Sequence, residues 1–206
     1  MKERFISFMQ WMTNSILPVI FWVLLIFGFD APYFAVLTLL SALIHELGHI
    51  LSILAFGGIM QMPRGHISGF RIKRHTALTY RREIFILLSG PMANIAASCI
   101  GLLFIGNLGE YAVAFVIINT ATAISNLLPI EGYDGYGIMF QIFSSRNMSL
   151  AIRMLERSSF VIMVVLTFLS LYLIEKFGSG YWIFAMFFCM MIAKLTKFGN
   201  FNIFEE

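Results

Sequence analysis

Long stretches without a single Asp, Glu, Lys or Arg limit what this chain can fold into more than any other feature. Between Arg4 and Asp30 lie 25 uncharged residues, between Glu83 and Glu110 there are 26, and between Glu110 and Glu131 there are 20. An apolar run over 31–56 is interrupted only by His45, Glu46 and His49, and 158–174 and 177–193 give 17 residues each. A helix needs roughly 17–25 apolar residues to cross a bilayer, and in lipid it satisfies its own backbone groups. These runs predict an all-α membrane protein, a polytopic bundle of about six transmembrane helices embedded in the lipid bilayer. Charged residues are only 12% of the 206, about half the share usual in a soluble domain. The length fits one domain over 1–206, and the first apolar run lacks a small-residue cleavage site, so no removable leader is expected. A net charge of +3, scattered along the chain, argues against nucleic-acid binding. Cys99 and Cys189 both fall in apolar runs and read as small buried hydrophobes, not as a disulfide.

With six spans, the N-terminus, the loops 57–82 and 131–157 and the C-terminus share one side and hold 13 Lys and Arg residues, against Lys176 alone on the other. The excess of positive charge predicts that both termini are cytoplasmic in a multi-pass protein of the cell membrane. Within loop 57–82, Phe70 and Ile72 alternate with Arg71 and Lys73, and Leu78 and Tyr80 with Thr79 and Arg81. That period of two predicts a short β-hairpin; a basic loop lying on anionic headgroups is the alternative. His66 and His75, in the same loop, read as surface residues.

The second run carries His45-Glu46-Leu47-Gly48-His49. Histidines four apart project from one face of a helix toward one ion. Imidazole suits zinc, and a catalytic zinc takes three protein ligands and keeps a position for water. Glu46, beside the first ligand, is placed to take a proton from a water attacking a carbonyl. Three ionisable groups inside a membrane helix are costly, which favours a functional role over a polar cluster that only joins helices. A third ligand must come from elsewhere in the chain. The fourth run ends in Asn126-Leu127-Leu128-Pro129-Ile130-Glu131-Gly132-Tyr133-Asp134-Gly135, where Pro129 ends the helix and Gly132 and Gly135 permit a tight turn. Asp134 can be turned inward there. Glu131 is the competing ligand.

Three segments together resemble the signatures of site-2 proteases: HELGH the HExxH element, Ser89-Gly90-Pro91-Met92-Ala93-Asn94 a GPxxN-type element, and the 126–135 segment NxxPxxxxDG. They follow the family's order and extend over 41–136, within a catalytic core of about 33–136. The resemblance, closest to the compact prokaryotic, sporulation-type members, implies intramembrane peptide-bond hydrolysis by one Zn2+ per chain. It implies His45, His49 and Asp134 as ligands, favouring Asp134 over Glu131, with Glu46 as general base and a membrane-embedded protein as substrate. Asn94, at the family's Asn position, would contact the substrate or steady the oxyanion; an interhelical hydrogen bond is the other reading, and Asn126 reads as structural. The chain departs from the pattern where Tyr136 intervenes before Gly137 and where position 131 is Glu. A metal-binding transporter would spread ionisable groups along several helices, whereas here they cluster near one depth. A non-catalytic scaffold would have no use for Glu46.

Overall fold

The computed structural model describes residues 27–28, 32–56, 64–66, 69–71, 80–145, 147–178 and 181–201. Helix α1 (Pro32–Ala55) is followed by a small antiparallel pair, β1 (Arg64–His66) and β2 (Gly69–Arg71), with Arg64 opposite Arg71. Then come α2 (Tyr80–Leu102), the one-turn α3 (Ile105–Leu108), α4 (Glu110–Asn126), α5 (Asp134–Ser144), α6 (Met148–Phe177) and α7 (Tyr181–Phe201). Helices α1, α2 and α4 pack on one another; α5 joins α2 to α6, and α7 lies against α6.

Helix α1 shows the solvent for which this fold is built. Its buried face holds Ala35, Ser41, His45, Gly48, His49, Ser52 and one large apolar residue, Ile53, while Leu40, Leu43, Leu47, Leu51 and Leu54 are exposed. Both sets follow the helical period, but with mainly polar and small residues inside and leucines outside. Between helices in lipid the leucine is no better off inside than out, so close packing of small residues and interhelical hydrogen bonds decide what faces inward. Helix α6 repeats the pattern in part: Ser159, Thr167 and Ser170 are buried beside Leu155 and Met163, and Val161, Val165 and Phe168 are exposed.

Three helical stretches among the described residues are long and apolar enough to cross a membrane: Pro32–Ala55, Tyr80–Leu102 and Met148–Lys176. These account for three of the six expected spans. The first expected span falls mostly outside the described residues. Helix α4 has 17 residues, about 26 Å at 1.5 Å per residue, and the apolar part of α7 is the shorter stretch Ile183–Thr196. The expected loop 131–157 is instead largely helical, because α6 begins at Met148, ten residues before the apolar run. Asn147 starts it, its side chain accepting from the Leu150 N–H at 3.0 Å, which satisfies one of the unpaired donors of the first turn.

The hairpin expected from alternation in 70–73 and 78–81 is not the pair observed. Tyr80 and Arg81 open α2, since the apolar run beyond Glu83 continues their helical backbone bonding, and 72–79 lie outside the described residues. Cys99 is exposed and Cys189 half-buried, both unpaired by disulfide, so the expected burial fails for Cys99: its α2 position faces outward, where a lipid-facing helix surface accepts a small apolar side chain as readily as a core does.

Candidate metal centre

His45 and His49 stand one turn apart on the inward face of α1, with their Nε2 atoms 3.1 Å from each other. Asp134 reaches them from the first turn of α5, its Oδ2 lying 3.0 Å from His45 Nε2 and 3.2 Å from His49 Nε2. The segment that delivers it turns sharply after α4. The Tyr133 N–H donates to the Ile130 carbonyl at 2.9 Å, and Gly132 takes φ of 100°, a conformation open to glycine and strained for residues with a Cβ. At the start of α5 the Asp134 carboxylate also sits at the positive end of the helix dipole.

The proton positions in this cluster follow from its surroundings. His49 Nδ1 lies 2.7 Å from the Ile86 carbonyl, which can only accept, so Nδ1 carries the hydrogen. His45 Nδ1 lies 2.8 Å from Asn94 Oδ1. That oxygen is oriented by the other end of the amide: Asn94 Nδ2 donates to the Ser41 carbonyl at 2.9 Å and to Asn119 Oδ1 at 2.9 Å. Asn119 is fixed in turn, its Nδ2 donating to the Phe115 carbonyl at 2.9 Å. A directed chain from α4 through α2 therefore assigns the hydrogen of His45 to Nδ1 as well. In their neutral forms both imidazoles then turn Nε2 lone pairs toward each other and toward the Asp134 carboxylate, a set of donors that a cation, or a proton shared with Asp134, satisfies. Zinc bonds of about 2.0–2.1 Å in tetrahedral geometry separate ligand atoms by about 3.3–3.4 Å, close to the 3.0–3.2 Å found. The donor set fits zinc and leaves a fourth position. Histidine ligands whose other nitrogen is held by a carbonyl oxygen are the common arrangement around that metal.

Close approach of α2 to α1 makes the cluster possible. A Cβ on Gly48 would strike the Ser89 carbonyl oxygen and come within 2.8 Å of Ala93 Cβ. A Cβ on Gly90 would lie 2.5 Å from His49 Nε2. On the third side, a Cβ on Gly135 would strike the Leu127 carbonyl oxygen. Pro91, inside α2, removes one backbone hydrogen bond from the turn above Ile86. Ser52 and Ser89 join the helices beside His49, Oγ to Oγ at 2.8 Å, and the Ser89 hydroxyl also lies 2.6 Å from the Ile86 carbonyl.

Of the residues singled out in the sequence, His45, His49 and Asp134 form one group able to hold a metal ion. Glu46, next along α1, is half-buried at the edge of that group. Glu131 is directed elsewhere: its carboxylate lies 3.3 Å from Lys194 Nζ. Asn94 is completely buried and sits behind His45, its amide making interhelical hydrogen bonds to α1 and α4. Asn126 donates to the Thr122 carbonyl of its own helix at 3.0 Å. The side chains of His66 and His75 lie outside the described residues. Sequence reasoning missed Ser41, the Ile86 carbonyl, Gly90 and Asn119. Gly90 left a signal as part of the Gly-Pro pair in the second segment, and Asn119 as an amide inside an apolar run, where an unsatisfied polar group is costly.

No family model matches the chain, and no curated protein matches it. Among solved structures it is similar to the Site-2 Protease from Methanocaldococcus jannaschii, with a TM-score of 0.54 and 16% identity over 87% of this chain and 82% of that one. The likeness is one of fold: the chain shares the fold of that structure.

Proposed function

We propose that this chain, which has the fold of a site-2 protease, is an intramembrane zinc metalloprotease hydrolysing peptide bonds in or near the transmembrane segments of membrane-anchored proteins. The observation that carries the reading is the convergence of His45 Nε2, His49 Nε2 and Asp134 Oδ2 within 3.2 Å of one another on helices whose outer faces are apolar. One zinc ion per chain, when bound there, supplies polarisation of a carbonyl and activation of a water.

The chain's own residues do the rest. Glu46 follows the first ligand on α1, accepts the proton of the attacking water and returns it to the leaving amine. Asn94 is a positioning residue that holds the His45 ring with Nε2 facing the centre. A substrate helix hides its amides in its own hydrogen bonds, so the segment to be cut must unwind before it reaches Glu46. The single domain over 1–206 crosses the bilayer about six times with both termini cytoplasmic, which places HELGH in its inner half; the 13 to 1 partition of Lys and Arg supports this topology.

The test is to purify wild type and Glu46→Gln in detergent, measure bound zinc and assay cleavage of a single-span substrate. Zinc in both, with cleavage reduced by about 10²–10⁴-fold in the variant, is the expected result. Equal activity, or no metal in either protein, would overturn the assignment.

A further inference from the structure

Helices α6 and α7 contribute no ligand to the metal group, yet they hold most of the short segment that delivers Asp134. Ile130 is fully buried in a cluster with Met163 of α6 and Phe187 and Met190 of α7. The Glu131 backbone N–H donates to Ser159 Oγ of α6 at 3.0 Å. The Glu131 carboxylate pairs with Lys194 of α7 at 3.3 Å, and the Tyr133 hydroxyl points at Met186 Sδ of α7 at 3.9 Å. Ile183, Met186, Phe187, Met190 and Lys194 form one stripe at helical spacing along α7, and the charge is at the end of it. Lys194 is the anomaly. By the distribution of charge it is one of the cytoplasmic anchors, and a lysine at a membrane boundary ordinarily stretches its ammonium toward water. Here it is only 6% exposed and turns inward. An ionisable side chain within an apolar helical stretch costs enough to ask for a role.

We infer that Lys194 is a positioning residue: through Glu131 it lets the C-terminal helix pair clamp residues 130–133, and so fixes the distance of Asp134 from the two histidines. The inference rests on the metal reading above and adds that the ligand geometry is set by helices outside the 33–136 core. Metal retention then depends on the docking of α7, although α7 supplies no residue of the metal group.

The experiment uses the full chain in detergent micelles, as wild type, Lys194→Met, Lys194→Arg and Glu131→Gln. Three quantities are read: amide hydrogen exchange over 130–134 in metal-free protein, Co2+ affinity, and the visible absorption of bound Co2+, which reports ligand geometry. Lys194→Met and Glu131→Gln should speed exchange in 130–134, lower Co2+ affinity by about 10- to 100-fold and alter the Co2+ spectrum. Lys194→Arg should restore all three, which a loss of general stability would not explain. If Lys194→Met does not fold, Glu131→Gln, which keeps the side-chain shape, decides alone. Wild-type exchange in the charge-removing variants overturns the clamp, as does faster exchange with unchanged affinity and spectrum. Failure of wild type to bind Co2+ would sink the metal reading instead, and the exchange data would still judge whether Lys194 holds the segment.

Discussion

The hydrogen that stands for a side chain at Gly90 is what lets α2 close over the two imidazoles. A methyl there would sit 2.5 Å from His49 Nε2 and 2.8 Å from His45 Cε1, inside the space where ligand atoms meet. Gly90→Ala should therefore lower zinc affinity by at least about tenfold while leaving helix content unchanged, as read by competition with a chromophoric chelator and by circular dichroism. Wild-type affinity in that variant would show that the helices do not approach so closely. In the sequence Gly90 is only the first half of a Gly-Pro pair, because what a glycine makes room for lies on another helix. The ligands are different. His45 and His49 are readable from their spacing alone, since four residues of helix fix their relation without any help from the rest of the fold.

At the scale of the element, α1 is defined by two faces with opposite tolerance. Leu51 is 65% exposed, whereas a Cβ on Gly48 meets the backbone of α2. We expect Leu51→Phe to be nearly neutral in detergent and Gly48→Leu to cost about 1–3 kcal/mol or more, since overpacking forces shifts of rotamer and backbone. Thermal unfolding of the two variants checks this, and equal melting temperatures would contradict the assignment of faces. The existence of α1, α2 and α6 was readable from uncharged length. Their ends were less so. Helix α6 starts at Met148, well before its apolar stretch, because a capping Asn147 and continued backbone bonding extend a helix through polar residues that hydropathy assigns to a loop. Alternation likewise misled at Tyr80 and Arg81, where four residues of period two weigh less than the helix that follows.

For the whole molecule, the candidate metal group joins two parts of the fold: α1 supplies two of its side chains and α5 the third, 85 residues beyond His49. An ion bound by the folded chain stabilises it by mass action, about 4 kcal/mol at a thousandfold excess over the dissociation constant. Stripping the metal with a chelator should lower the melting temperature of wild type, restoring zinc should recover it, and His45→Ala should be insensitive to both. A chelator effect of equal size in His45→Ala would place the stabilising ion elsewhere. What depends on local spacing and on solvent preference is legible in the sequence. It specified apolar helices, one pair of histidines on one helical face, a carboxylate after a helix-ending proline, and the family those three segments resemble. The resemblance already favoured Asp134 over Glu131, and tertiary structure turns the first toward the histidines and the second toward Lys194. Tertiary structure also decided that Asn94 backs His45, with Asn119 behind it, and that glycines on α1 and α2 allow the approach. Those relations are distances between residues far apart in the chain, fixed by how helices pack in three dimensions, and no period along the sequence encodes them.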